Sequence, residues 1–185
     1  DDILDAAHKH GLSHLVVPYL HEHNRTSLDD YKRLAANCNK AATNAKTAGI
    51  QLSYHNHSFE YRPYEGGKTG YDILIEEFSD EMQFELDVFW VQLGGVNPVD
   101  MMKRLEGRVS QLHLKDLKKG ITTPEYDNGK IPKDAFKELG NGVVDIQAVI
   151  EAAWVAGVDH CHVEQDQSPD PVASIQESMG YLSKL

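Results

Sequence analysis

The chain predicts an α/β fold built on a parallel sheet. Three observations point there. A short apolar strand followed by a polar cluster recurs five times, four of the units opened by a glycine. Helical periodicity fills the stretches between them. The polar residues always follow their strand. Strands alternating with helices need crossover connections, which make neighbouring strands parallel. Ligand sites in such sheets lie at the carboxyl ends of the strands, where these polar clusters fall.

Gly11 opens the first unit, with a strand expected over 13–18. Ser27 is placed to cap the next helix, with Asp30 three residues on in near capping-box spacing. Tyr31, Leu34, Ala35, Cys38, Ala41, Ala42, Ala45 and Ala48 then recur at helical spacing. Gly49 ends that helix and opens a second strand over 51–55, running into His55-Asn56-His57. A helix over 71–78 leads to a third strand over 83–87 that finishes on Asp87. Pro98, just after Asn97, suits the first turn of a helix over 98–105. Gly107 precedes a fourth strand over 109–114 carrying His113, and Gly157 a fifth over 160–164 ending at Glu164. Helices over 146–156 and 171–185 flank that last strand. Residues 117–144, rich in glycine, proline and charge, are too long for a simple connection. They read as a functional loop, a lid beside His113 with a short helix around 133–139.

Composition narrows the function. The 185 residues suit one domain, 1–185, able to bury a core without staples. Lys plus Arg number 18 against 29 Asp plus Glu, a formal charge of −11 that opposes binding to phosphate backbones. Nucleic acid is therefore not an expected partner, nor is a membrane, since no apolar run approaches a spanning length. The opening residues do not read as a targeting segment, which leaves the compartment open between cytoplasm and periplasm. Cys38 and Cys161, the only cysteines, give no disulfide framework and read as small core residues.

Four metal-capable side chains, His55, Asp87, His113 and Glu164, fall on four strand ends of one rim. A mixed nitrogen and oxygen set suits Mn²⁺, Zn²⁺, Fe²⁺ or Co²⁺ better than Ca²⁺. His57 and Glu60 lie just beyond the same strand as His55, placed to meet substrate or move a proton. Lys115 and Asp116 follow His113; the lysine could neutralise a charged substrate oxygen. Trp90 stands at the pocket mouth as a packing residue with an apolar indole face. Glu85, two residues before Asp87, shares its face of the strand and stands behind the ligands.

Five stretches carry a family resemblance: Tyr54-His55-Asn56-His57-Ser58-Phe59-Glu60, Phe84-Glu85-Leu86-Asp87-Val88-Phe89-Trp90, Gly107-Arg108 with His113-Leu114-Lys115-Asp116, Leu139-Gly140-Asn141-Gly142-Val143-Val144-Asp145, and Val163-Glu164-Gln165-Asp166. In this order the chain resembles the xylose-isomerase-like TIM-barrel superfamily, in its sugar phosphate isomerase/epimerase subgroup with an AP-endonuclease-family-2-like domain. The resemblance implies a (β/α)₈ barrel and one divalent ion, commonly Mn²⁺, held by Glu, Asp, His and Glu. Asp87, His113 and Glu164 match three of those ligands, while His55 stands near the place of the first Glu; His57 and Tyr54 are neighbouring candidates for it. Only about the last five βα units are visible, so the first three strands are expected on another segment or from a second subunit, as in a homo-oligomer.

The implied activity is a metal-dependent isomerase or epimerase acting on a small carbohydrate by proton abstraction beside a carbonyl. Glu164 is the expected base, with His57 and Lys115 as further catalytic residues and Glu60, Trp90 and Asp116 against the substrate. Losing the first Glu disturbs a symmetric two-glutamate shuttle and brings in the alternative of a keto-sugar lyase or dehydratase, in which His55 or His57 supplies the acid. A non-catalytic carbohydrate-binding barrel fragment is the reading from outside enzymology.

Overall fold

The computed structural model describes residues 2–105 and 107–185. After α1 (Asp2–Lys9) come β1 (His14–Val17), α2 (Leu28–Thr47), β2 (Gln51–His55), α3 (Gly70–Glu77), β3 (Met82–Asp87), α4 (Val88–Leu93) and α5 (Pro98–Leu105). Then follow β4 (Val109–Leu114), the short strands β5 (Asp116–Leu117) and β6 (Phe136–Lys137), α6 (Ile146–Ala156), β7 (Cys161–Val163) and α7 (Pro171–Leu182). Five strands form one parallel sheet in the order β1-β2-β3-β4-β7, a half-barrel of the xylose-isomerase-like type.

The five expected strands are present, with helices between them where the periodicity placed them, and local chemistry explains their ends. Ser27 and Asp30 form a complete capping box at the start of α2, and Thr69 with Asp72 does the same for α3. Asn97 Oδ1 accepts from the amides of Val99 and Asp100 at the start of α5. Gly157 closes α6 in the left-handed conformation, φ 77°, that a side chain would disfavour.

The sheet has two unlike faces. Tyr54, Phe84, Leu86, Leu112 and Leu114 point towards the helices and form the core with Tyr71, Val91, Met102 and Val149. The alternate positions Ser53, His55, Glu85, Asp87 and Gln111 are polar yet buried. Central strands of a parallel sheet are normally apolar on both faces. A buried row of polar and charged groups therefore marks this face as the functional one.

Three expectations change in the structure. The helix expected around 133–139 is a single 3₁₀ turn, Lys133–Ala135, followed by β6 paired antiparallel with β5. Extended backbone there lays the Phe136 ring on Phe89, centroids 4.5 Å apart and nearly parallel. The loop expected as a lid is pinned to the rim. Asp116 is fully buried, and its two carboxylate oxygens accept from the amides of Leu117, Gly140, Gly142 and Val144. Cys161, expected in the core, is exposed because β7 is an edge strand of the sheet; Cys38 is buried on α2 as anticipated.

Candidate metal centre at the sheet rim

Strand register assembles the site. His55 on β2 is in register with Glu85 on β3, and Asp87 on β3 with His113 on β4. The second pairing depends on a register shift between Phe84 and Glu85: Phe84 pairs with Val109, but Glu85 pairs with Gln111. Without that extra residue Asp87 would face Leu112, and the imidazole would turn to the other side of the sheet.

Asp87 does two jobs with one carboxylate. Its Oδ1 caps α4 by accepting from the amides of Phe89 and Trp90, at 3.0 and 3.2 Å. Its Oδ2 is buried and has no hydrogen-bond partner among the described residues. The same holds for His113 Nδ1 and Glu164 Oε2, and the three atoms lie within 4.8 Å of one another. His113 Nδ1 is 2.8 Å from Glu164 Oε2 and 3.6 Å from Asp87 Oδ2. These atoms converge on shared space without being aligned to hydrogen-bond each other. Buried charges gathered this way are costly unless opposite charge compensates them, as the Lys115 ammonium does here for the two carboxylates. Two carboxylates and an imidazole are a donor set that fits a divalent cation.

His55 sits one step back from this trio. Its Nδ1 is 3.3 Å from Glu85 Oε2, and its Nε2 is 3.9 Å from Asp87 Oδ2. Glu85 Oε1 also lies 3.2 Å from His113 Nε2, so this buried carboxylate stands between two imidazoles. His55, Glu85 and His113 thereby form a second group able to hold a cation, sharing His113 with the first. A carboxylate behind a ligating imidazole also fixes which nitrogen faces the metal.

Lys115 is the buried cation of the site. Its Nζ lies 2.7 Å from Glu164 Oε2, 3.1 Å from Asp87 Oδ2 and 3.2 Å from Asp166 Oδ2. Burial disfavours the charged lysine, but the facing carboxylates outweigh it and hold its pKa above the ordinary value. The carboxylates respond in kind. The His113 imidazole, with Lys115, draws Glu164 down to about 2. Burial would raise Glu85 and Asp87, yet the neighbouring cations win, taking Glu85 to about 2 and Asp87 well below the usual carboxylate range. Burial opposes the charged form of His113 as well, but Asp87, Glu164 and Glu85 push it up to about 11.

The other expected site residues are spread over two layers. His57 stacks on Phe59 and lies 4.8 Å from Trp90, ring centre to ring centre. Burial and the nearby His55 lower its pKa to about 3, so it is neutral at pH 7. Trp90 is buried beside the site, with the Lys115 ammonium 5.7 Å from its ring centre. Glu60 and Asp116, expected against substrate, are instead fully buried and already occupied. Glu60 accepts from the Tyr54 hydroxyl at 2.6 Å and from the His57 amide at 2.8 Å, while Asp116 holds the loop as described above. Sequence reasoning gives no role to Asn56 or Asp166, and to Glu85 only a place behind the ligands. The two-residue spacing of Glu85 from Asp87, and of Asp166 from Glu164, was the available signal.

Comparisons with known proteins agree with this fold. Inosose dehydratase from Lacticaseibacillus casei is 24% identical over 150 residues, covering 76% of this chain and 49% of that protein. The chain thus spans about half the length of the curated relatives it matches. A sugar phosphate isomerase/epimerase from Parabacteroides distasonis superposes with a TM-score of 0.79 at 23% identity, covering all of this chain and 63% of that one. The IOLI protein with a bound zinc atom superposes at 0.74 with 16% identity, over 99% of this chain and 66% of that one. Among the described residues no helix is long and apolar enough to cross a membrane. The xylose isomerase-like TIM barrel profile matches residues 1–185, and the chain belongs to that family.

Proposed function

We propose that this chain carries the metal-binding and catalytic residues of an enzyme that isomerises or epimerises a small carbohydrate beside a carbonyl. One observation supports this above the rest: Asp87 Oδ2, His113 Nδ1 and Glu164 Oε2 converge within 4.8 Å of one another at the rim, with the Lys115 ammonium beside the two carboxylates. In this reading those three residues and His55 would hold one divalent ion, Mn²⁺ first, with Zn²⁺, Co²⁺ or Fe²⁺ as substitutes. When bound, such an ion supplies positive charge that polarises a substrate carbonyl.

Glu164 is the residue we assign to remove the proton from the adjacent carbon. It is ionised at neutral pH because His113 and Lys115 draw its pKa to about 2. A carboxylate so stabilised is a weak base, so the transfer relies on the carbon acid being strengthened by its polarised carbonyl. The Lys115 ammonium, 2.7 Å from Glu164, is placed to meet the substrate oxygen that gains negative charge. His57 serves as a neutral hydrogen-bonding group, and Trp90 as an apolar face for the sugar ring.

Similarity to an inosose dehydratase favours a second reading, elimination of water from a keto-sugar. That reaction needs an acid at the departing hydroxyl. Of the two histidines placed to serve, His57 is held neutral at pH 7 and has no surplus proton to give. Metal analysis of the purified chain, followed by carbohydrate turnover in D₂O with product mass, separates the readings. Isomers keep the substrate mass and gain deuterium beside the carbonyl, whereas elimination loses water. A chain that retains no divalent metal and exchanges no C–H hydrogen would overturn both.

A further inference from the structure

Lys115 and Asp166 stand shortly past the ends of two neighbouring parallel strands, β4 and β7. The turn after β7 fixes where the carboxylate lies. Gln165 Oε1 accepts from the Gln167 amide at 2.6 Å, and Gln165 Nε2 donates to Glu138 Oε1 at 3.3 Å. Asp166, between the two glutamines, then faces the ammonium with both oxygens, Oδ1 at 3.4 Å and Oδ2 at 3.2 Å.

Lys115 thus has three carboxylates within reach, and they are not equivalent. Asp87 Oδ2, at 3.1 Å, and Glu164 Oε2, at 2.7 Å, are the oxygens that converge with His113 Nδ1. Asp166 stands outside that group. An ammonium and a divalent ion crowded onto the same two oxygens repel each other, and burial sharpens the repulsion. Lys115 is therefore a rival to the metal as well as its neighbour. Solvent offers the lysine no way out, because its side chain is only 4% exposed. A buried ammonium stripped of its counter-charge is costly, so Lys115 yields the two oxygens only where another carboxylate receives it. Asp166 is already in contact and is not needed as a ligand.

We infer that Asp166 is a positioning residue: it draws the Lys115 ammonium off Asp87 and Glu164 and so opens those oxygens to a divalent ion. The inference rests on the metal-dependent reading proposed above. It goes past that reading by giving a residue outside the ligand set a share in metal affinity. Lys115 and Asp166 then act as a pair, one competing with the ion and the other restraining the competitor.

The test is calorimetric titration of the chelator-treated chain with Mn²⁺ and, in parallel, Zn²⁺. Asp166→Asn keeps the side-chain shape and removes its charge. It should weaken metal binding ~10–100-fold, the usual worth of a residue acting on a ligand set from outside it. Asp166→Glu restores the charge and should restore most of the affinity. In a Lys115→Met background, Asp166→Asn should change affinity less than ~3-fold, because the competitor is gone. Lys115→Gln repeats this cycle where Lys115→Met does not fold. An equal loss with and without Lys115 would mean that Asp166 acts only as distant negative charge, and overturns the inference. So does a loss shared by Asp166→Glu, or parental affinity in Asp166→Asn. Those results leave the metal centre standing, whereas a parent that binds neither Mn²⁺ nor Zn²⁺ removes the metal-dependent reading and this inference together.

Discussion

The side-chain amide of Asn56 pairs with both backbone polar groups of Asp87. Its Oδ1 accepts from the Asp87 amide at 3.0 Å, and its Nδ2 donates to the Asp87 carbonyl at 3.3 Å. Asn56 lies just past the end of β2, so its side chain continues the link to β3 where the strand itself has stopped. Both residues are fully buried, and the pairing sets the height of the Asp87 carboxylate. Asn56→Ala leaves the buried Asp87 amide unpartnered, at about 1–3 kcal/mol, while the Asp87 carbonyl keeps its role as the cap acceptor of α4. The expected result is a clear fall in melting temperature together with weaker metal retention. Unchanged metal affinity in the folded variant would remove Asn56 from the positioning of Asp87.

The two oxygens of Asp87 can be separated by substitution. Asp87→Asn keeps an oxygen to cap α4 but removes the negative charge; Asp87→Ala removes both. Loss of the cap costs about 0.5–2 kcal/mol. Both variants should lose divalent metal on dialysis, and Asp87→Ala should also be the less stable in urea. Full metal stoichiometry in both would refute the ligand assignment.

For Glu164, conversion to Gln keeps the shape and removes the proton acceptor. General-base catalysis is worth ~10²–10⁴-fold, so turnover should fall by at least that range. Lost metal would mimic the effect, so metal content is measured alongside exchange of substrate C–H hydrogen with D₂O. Exchange at the parental rate in a metal-replete Glu164→Gln protein would exclude it as the base.

Glu60 predicts a pH-dependent stability. Burial raises its pKa from 4.5 to about 8 despite the hydrogen bonds from Tyr54 and His57. Between those values the folded chain binds a proton that the unfolded chain has lost, so stability falls as pH rises through about 8. His57 acts oppositely: its pKa is lowered from 6.5 to about 3, so its contribution grows with pH across that window and is complete above it. Glu60→Gln removes the first contribution. The parental-minus-variant difference in unfolding free energy should therefore decline from pH 6 to 8, by at most about 1.4 kcal/mol per pH unit. A flat difference would show that Glu60 is ionised in the folded chain at pH 6.

Gly142 lies against the Asp116 carboxylate, and an added Cβ would collide with it and with the Leu117 carbonyl. Gly142→Ala should destabilise by about 1–3 kcal/mol, as overpacking does. The loop it displaces holds Phe136 on Phe89, next to Trp90. Sugar affinity should fall with the melting temperature; a stable variant with intact sugar binding would free the loop from any role at the site.

The elements and their order were legible because they rest on local chemistry. Ser27 with Asp30, Asn97 before Pro98 and Gly157 after α6 each act within a turn of their own position. The polar residues after each strand likewise announced a rim, and Asp87, His113 and Glu164 do meet there. Asp116 and Glu60 could not be read this way. Both are charged residues in polar surroundings, and only the fold shows their oxygens taken by backbone amides and a tyrosine hydroxyl. The helix expected near 133–139 failed for a related reason: the need to bury Phe136 against Phe89 overrode local preference.

What the sequence by itself determined is the alternation of strand and helix, and which side chains stand at strand ends. These follow from hydrophobic period and capping, which act over a few residues. What only the tertiary structure decided is which of those side chains become neighbours. The register shift between Phe84 and Glu85 brings Asp87 opposite His113, and sets Glu85 between His113 and His55. Side chains alternate faces along a strand, so a slip of one residue exchanges an imidazole for a leucine. That choice is made by pairing between strands more than twenty residues apart in sequence, and no local pattern in either strand records it.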